Sequence, residues 1–225
     1  MITKVLILIL IILFYLRRNV ENFIMNDNKW IGYRLGDIIK GYFLHTKNYK
    51  YLNMIKKRLP NSIGACYIKE TEKIKNVEDK KNNFKILNKI IELKSKNMEL
   101  PNEKDIVIHL RIGDIIKNYG TNNKYDFSLN LNELEKILRE HQDNKVILVY
   151  GSHKKNIDKK KNDEYLEKVR QMLNKYNIIY EEKNSGNPDN DFIFMANSKR
   201  FIKSGGGFSK IIGDLVIMKG GKVLN

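Results

Sequence analysis

Residues 105–111 have the sequence Asp-Ile-Val-Ile-His-Leu-Arg, a short apolar run typical of a strand that is buried on both faces of a parallel sheet. Residues 145–150, Lys-Val-Ile-Leu-Val-Tyr, form a second such run. The apolar spacing elsewhere predicts helices over 132–141, 163–176 and 208–218, a helix beginning near 189–191, and strands over 178–181 and 200–203. This alternation predicts an α/β fold with a Rossmann-like parallel sheet that binds ligands at the carboxyl ends of its strands.

The amino-terminal segment has a different character. Every residue from Val5 to Leu16 is apolar or tyrosine, Lys4 precedes the run, and Arg17 and Arg18 follow it. The run is shorter than the roughly 20 residues that span a bilayer, and no small-residue cleavage site follows it. We therefore predict an uncleaved membrane anchor or interfacial helix over residues 4–18, with a buried first helix as the alternative. The flanking basic residues favour a cytosolic face.

These patterns divide the chain into three segments. Residues 1–25 form the hydrophobic anchor helix and its basic flank, 26–101 a reduced amino-terminal lobe, and 102–225 the ligand-binding lobe. Within the second segment, residues 63–68 are compatible with a strand. Residues 71–99 are rich in lysine, which predicts a solvent-facing helical stretch that ends before Pro101.

The amino-acid composition indicates which kinds of partner the protein could bind. A formal net charge of +16, from 42 Lys and Arg against 26 Asp and Glu, favours an anionic partner such as nucleic acid, anionic lipid or a nucleotide diphosphate. Lysine runs such as 154–161 lack interleaved aromatic residues that could stack on bases, so nucleic acid is not expected. The single cysteine, Cys66, excludes an intrachain disulfide, and the four histidines lack the spacing of a zinc site.

The first motif with chemical potential is His109-Leu-Arg-Ile-Gly-Asp114, where a buried strand passes into a loop. The guanidinium of Arg111 can make two parallel, charge-assisted bonds to phosphate oxygens, and Gly113 allows the backbone to approach a ligand. The alternative is a local ion pair between Arg111 and Asp114 at a turn.

The second motif, Ser204-Gly-Gly-Gly-Phe-Ser209, lies between a predicted strand and a helix. A flexible glycine backbone followed by the positive end of a helix is suited to binding phosphate. A flexible turn in which Ser209 caps the helix is the alternative. If both motifs follow strands of one parallel sheet, they should lie side by side at its carboxyl edge.

Two further segments have a structural interpretation beside a functional one. Asp189-Asn190-Asp191 is a D-x-D sequence, a pattern of carboxylates that can bind a metal ion. Because it follows Pro188 at the start of a predicted helix, we favour aspartate as a helix N-cap. Gly151-Ser-His153 follows the second strand, where a binding role or a plain surface loop is possible.

Together, His109–Asp114, Asp191-Phe-Ile-Phe-Met195, Lys199-Arg-Phe-Ile202 and Ser204–Ser209 resemble the donor-site signature of the fucosyltransferase superfamily, which includes α1,2-, α1,6- and protein O-fucosyltransferases. The resemblance implies a two-lobed GT-B fold, GDP-fucose as the donor, inversion, and no metal or other cofactor. It implies that Arg111 meets the β-phosphate. The remaining substrate-binding residues that it implies are His109, Gly113, Asp114, Asp191, Gly205, Gly206, Gly207, Phe208 and Ser209.

The resemblance extends to the amino-terminal lobe. Arg34-Leu-Gly-Asp37 is similar to the family's glycine loop near the sugar, with aspartate where the family has asparagine. It implies that Arg34 and Gly36 bind substrate and makes Asp37 the nearest candidate for a general base. Ile112 and Lys210 depart from the family pattern, and the amino-terminal lobe is short, so the sugar and the acceptor stay open.

The sequence thus predicts a membrane-tethered glycosyltransferase that moves a sugar from a nucleotide diphosphate, with GDP-fucose favoured, to a glycan or protein acceptor. Two alternatives remain. One is a nucleotide-sugar-binding protein without catalysis, and the other is a basic protein that binds a membrane surface or nucleic acid.

Overall fold

The computed structural model describes residues 56–57, 59–72, 80–112, 128–151 and 159–225. The elements in these ranges are helices and strands that alternate from residue 106 onward. They are α1 (Ile63–Thr71), α2 (Lys80–Ser95), β1 (Ile106–Leu110), α3 (Leu131–Glu140), β2 (Val146–Tyr150), α4 (Lys159–Lys175), β3 (Tyr180–Lys183), α5 (Pro188–Ala196), β4 (Arg200–Ile202), α6 (Gly207–Met218) and β5 (Lys222–Val223).

The five strands form one sheet in which every pairing is parallel. Their order is β3-β2-β1-β4-β5, with Ile106 of β1 opposite Val146 on one side and Arg200 on the other. After β3 the chain crosses back to the other side of β1, so the direction of winding reverses between β1 and β4. In an open α/β sheet, ligands bind at this switch point, outside the carboxyl ends of the strands. The predicted Rossmann-like parallel sheet is confirmed.

Helices cover both faces of the sheet. Ile106, Ile108 and Leu110 point to a core that also holds the buried faces of α3 and α4. Val107 points to the opposite core, which is formed with α1, α2, α5 and α6. This period-two alternation is the side-chain geometry of any β-strand, and here both faces are apolar. It means that His109 and Arg111, in phase with Val107, belong to the face that carries α5 and α6.

The strand expected over residues 63–68 is wrong, because the segment forms helix α1. Ser62 begins the helix, and its side chain accepts a hydrogen bond from the Ala65 amide. A short apolar run has no periodicity that separates a buried strand from a buried helix, and this run is buried over most of its surface. The serine cap is the local signal that favours the helix.

The Lys-rich stretch over 71–99 contains helix α2, and one face of this helix is buried rather than solvent-facing. Leu87, Ile90 and Ile91 belong to the core on the α5 and α6 face. Their spacing of three and four residues is the stripe of an amphipathic helix, which the surrounding lysines obscure in the sequence. Leu93, on the other face, is 57% exposed.

The described part of the segment 26–101 packs on the sheet that the rest of the chain forms. Ile63 of α1 and Leu87 of α2 share one core with Val107 of β1 and Phe192 of α5. The rest of the expected amino-terminal lobe and the expected anchor over residues 4–18 lie outside the described residues. Among the described helices, none has the length and apolar character needed to cross a membrane.

Candidate functional site

The first half of the site is the carboxyl end of β1. His109 is the second-last residue of β1, and Arg111 directly follows the strand. Both residues are half-buried. Since residues two apart on a strand share a face, the imidazole and the guanidinium both project toward α5 and α6. The final residues of this motif, Gly113 and Asp114, lie outside the described residues, so the alternative ion pair between Arg111 and Asp114 stays a prediction.

The second half is the connection from β4 to α6. Helix α6 begins at Gly207, and its N-cap is Gly206, which has φ +93° and makes no side-chain capping bond. Glycine is favoured there because a side chain disfavours this left-handed backbone. The first intrahelical bond runs from the Lys210 amide to the Gly206 carbonyl. The amides of the first turn before Lys210 therefore have no intrahelical acceptor, as at any helix start.

The two halves meet, as the positions of their motifs predicted. The Ser204 hydroxyl lies 2.8 Å from Nδ1 of His109, and the His109 ring packs on Phe208 with 5.6 Å between ring centroids. The guanidinium of Arg111 occupies the space beside Gly206 where a side chain would project, so that a Cβ there would overlap its Nη1. Pairing of β1 with β4 brings these loops together at one sheet edge.

Positive charge is concentrated where the loops meet. Helix α6 directs its amino end, with its partial positive charge, toward the loop that holds the Arg111 guanidinium. Burial, with a further contribution from Arg111, lowers the pKa of His109 to about 3, so its imidazole is neutral at pH 7. Among the described residues of the site, the guanidinium and the helix end are then the positive groups, and an anion between them would stabilise both.

Ser209 adds a polar group to the start of α6. Its side chain is fully buried, and its hydroxyl is one of two buried side-chain atoms in the described part of the chain without a hydrogen-bond partner. Such a group is costly unless something satisfies it. Because Ser209 is fully buried, a ligand at the amino end of α6 would reach this hydroxyl only after a movement of the loop.

The D-x-D sequence has a structural role, but a different one from that predicted. The N-cap of α5 is Asn187, whose side chain accepts a hydrogen bond from the Asp189 amide. Asp189 instead accepts the Ile63 amide at 2.8 Å, at the start of α1. The side chain of Asp191 accepts from the Ser185 amide at 3.4 Å, in the loop after β3. Burial raises the pKa of both carboxyl groups.

The structure leaves several expected roles untested. Arg34, Gly36 and Asp37 lie outside the described residues, as do Ser152 and His153. A substrate-binding role for Asp191 stays a prediction, since its hydrogen bond is local to the loop after β3. Within the described ranges, no group of three or more His, Cys, Asp or Glu side chains could hold a metal ion.

Sequence reasoning placed Ser204 inside a motif but did not single it out as a site residue. The signal that would have found it is its position. Ile108 of β1 pairs with Ile202 of β4, so Ser204, two residues past Ile202, leaves the sheet next to His109, one residue past Ile108. That pairing depends on strand order, which a single sequence does not reveal.

The fold and the site define the chain as a Rossmann-like α/β domain whose polar groups gather at the switch point of the sheet. No protein-family model matches the chain, and no curated protein matches it. The resemblance to fucosyltransferases therefore continues to rest on the motifs themselves.

Proposed function

We propose that the chain is a fucosyltransferase-like glycosyltransferase of the GT-B type, which moves a sugar from a nucleotide diphosphate, with GDP-fucose favoured, to a glycan or protein hydroxyl. The observation that carries the proposal is the packing of the Arg111 guanidinium against Gly206 at the amino end of α6. Two positive groups held against each other are stabilised by an anion, and the oxygens of a diphosphate can accept both from a guanidinium and from the amides of a helix amino end. An anchor over residues 4–18 would tether the enzyme to a membrane.

The reaction follows from these groups. The acceptor oxygen attacks the anomeric carbon from the face opposite the nucleotide, which inverts the configuration. The bond from that carbon to the β-phosphate oxygen breaks, and its electron pair leaves with the diphosphate. Arg111 and the amino end of α6 stabilise the negative charge that develops there. Asp37 is the candidate that would take the proton from the acceptor hydroxyl, and no metal is required in this scheme.

The first experiment measures whether the full-length chain binds nucleotides. We expect GDP and GDP-sugars to raise its melting temperature, and binding to persist in EDTA. Calorimetry should separate GDP from the other nucleoside diphosphates, because a pocket distinguishes the base. A nucleic-acid binder would instead lose affinity steeply with salt and show no preference among bases. Binding without sugar transfer to any acceptor would indicate a nucleotide-sugar-binding protein without catalysis.

The second experiment tests Arg111 directly. We expect Arg111→Lys to weaken GDP binding by roughly 1 to 3 kcal/mol, since lysine retains the charge but cannot make two parallel bonds. The melting temperature should stay close to that of the wild type. A matched control is Arg139→Lys on α3, whose guanidinium donates to Tyr176 on the other face of the sheet. If Arg111→Ala lowers the melting temperature while GDP affinity is unchanged, Arg111 is a structural residue and the proposed site is wrong.

A further inference from the structure

The hydrogen bond between Ser204 and His109 is one of the contacts that join the two halves of the site. It joins the Ser204 hydroxyl to Nδ1 of the imidazole over 2.8 Å. Of the residues that the structure describes, His109 is the only hydrogen-bond partner of this hydroxyl. Contact with Phe208 fixes the other side of the ring, with 5.6 Å between the ring centroids. The imidazole therefore has a defined orientation, and Nε2 is its remaining polar atom.

The positions of the heavy atoms allow either Ser204 or His109 to donate in this bond. The burial of each polar hydrogen decides which of them donates. The Ser204 side chain is buried, with 4% of the residue exposed. If Nδ1–H donated to the serine oxygen, the hydroxyl proton would be buried without an acceptor, which carries a large desolvation penalty. If the hydroxyl donates to Nδ1, its proton is satisfied. The buried position thus favours serine as the donor.

A neutral imidazole that accepts at Nδ1 carries its proton on Nε2. We propose that Ser204 is a positioning residue that holds His109 in this tautomer, so that Nε2–H is an uncharged donor beside the Arg111 guanidinium. The other tautomer would turn a lone pair toward the ligand and repel its oxygens. The atom that meets Nε2 is then an acceptor oxygen of the bound ligand, and this last step rests on the proposed nucleotide function.

The neutral state of the His109 imidazole also favours binding of a ligand beside Arg111. A protonated imidazole would repel the guanidinium of Arg111, and that repulsion contributes to the low pKa of His109, after burial. An uncharged donor adds a hydrogen bond for the ligand without adding charge beside Arg111. Arg111 thus supplies the positive charge, and His109 supplies an uncharged hydrogen-bond donor that orients the ligand.

Nuclear magnetic resonance tests the tautomer without any ligand. The full-length chain labelled with ¹⁵N-histidine contains four histidines, and His109→Asn identifies the signals of His109. We expect a protonated Nε2 and an unprotonated Nδ1 in the wild type. Ser204→Ala should move His109 toward a mixture of tautomers, and Ser204→Thr, which keeps a hydroxyl, should restore the wild-type pattern. A wild-type spectrum with the proton on Nδ1, or no change in Ser204→Ala, would overturn the proposal.

Ser198→Ala is the matched control. Ser198 is also a buried serine beside β4, but its hydroxyl donates to the Met195 carbonyl at 2.8 Å and lies at the other end of the strand. Removing it should leave the His109 signals unchanged. A shift of His109 in this variant equal to that in Ser204→Ala would show a general disturbance of β4 and would count against a specific role for Ser204.

A titration with GDP tests the ligand half of the inference. We expect Ser204→Ala to weaken GDP binding by roughly threefold to tenfold, the loss associated with one hydrogen bond, and Ser204→Thr to recover most of it. A wild-type protein that binds no nucleotide would end the proposed function but leave the tautomer result standing. Wild-type binding of GDP that is unchanged in Ser204→Ala would overturn the role of the tautomer in binding.

Discussion

At the scale of single residues, Gly206 meets two requirements that any side chain would violate. Its φ of +93° lies in the left-handed region, and the Arg111 guanidinium occupies the place of a Cβ. The first requirement concerns the stability of the loop, whereas the second concerns the position of the group that we propose binds phosphate. Gly220 also has a positive φ, but no atom lies within 4 Å of an added Cβ there. The effect of backbone strain can therefore be measured separately from the effect on Arg111.

We predict that Gly206→Ala weakens GDP binding by roughly tenfold or more, because the methyl group displaces the guanidinium and a charged hydrogen bond is lost. It should also lower the free energy of unfolding by about 1 to 3 kcal/mol through backbone strain, because Gly206 has ψ 168° as well as a positive φ. Gly220→Ala is the control, since Gly220 has φ +76° and no atom within 4 Å of an added Cβ. Urea unfolding should show a loss of stability in both variants, whereas calorimetry should show a loss of GDP affinity only in Gly206→Ala.

At the scale of elements, the sequence predicted most closely the buried strands β1 and β2 and the helices α3 and α6. β1 and β2 lie in apolar runs, and none of their expected ends differs from the observed end by more than one residue. α1 was mistaken for a strand because its run is apolar without a period. β5 has two residues, Lys222 and Val223, and so short a segment has no pattern to detect. It forms only because β4 offers a neighbouring edge.

In the candidate site too, the sequence predicted the residues that a local pattern marks but not those whose contacts depend on the order of the strands. Arg111 and the glycine run could be proposed from their places after strands, since the carboxyl ends of parallel strands share an edge. Ser204 could not, because its contact with His109 depends on β4 lying next to β1 rather than next to β3. The same holds for Asp189, whose partner, the Ile63 amide, is 126 residues away in the sequence.

We predict that Asp189 stabilises the packing of α1 on α5 and takes no part in metal binding. Asp189→Ala should lower the free energy of unfolding by roughly 1 to 2 kcal/mol, because the buried Ile63 amide loses its acceptor. Asp189→Asn should cost less, since its amide oxygen can still accept. Asn190→Ala, at the exposed position between the two aspartates, is the control. GDP binding that requires manganese and is lost in Asp189→Ala would contradict this prediction.

At the scale of the whole molecule, the site depends on a core that is built from distant parts of the chain. The face of the sheet that carries His109 and Arg111 is covered by α5 and α6, and these helices in turn pack with α1 and α2 in one buried cluster. Residues before 96 thus support the elements that position the site. The boundary expected at residue 101 falls between segments that share this core.

We predict that α1, α2 and the sheet unfold as one cooperative unit. Leu87 is fully buried in α2, so Leu87→Ala should lower the free energy of unfolding by roughly 2 to 5 kcal/mol through lost contacts and a cavity. Leu93→Ala, in the same helix but 57% exposed, is the control and should have little effect. Hydrogen exchange locates the change. If the unit is cooperative, Leu87→Ala accelerates exchange of the slowest amides in β1 and α6 as well as in α2. Acceleration confined to α1 and α2 would show that these helices form a separate lobe, which would leave the nucleotide site independent of them.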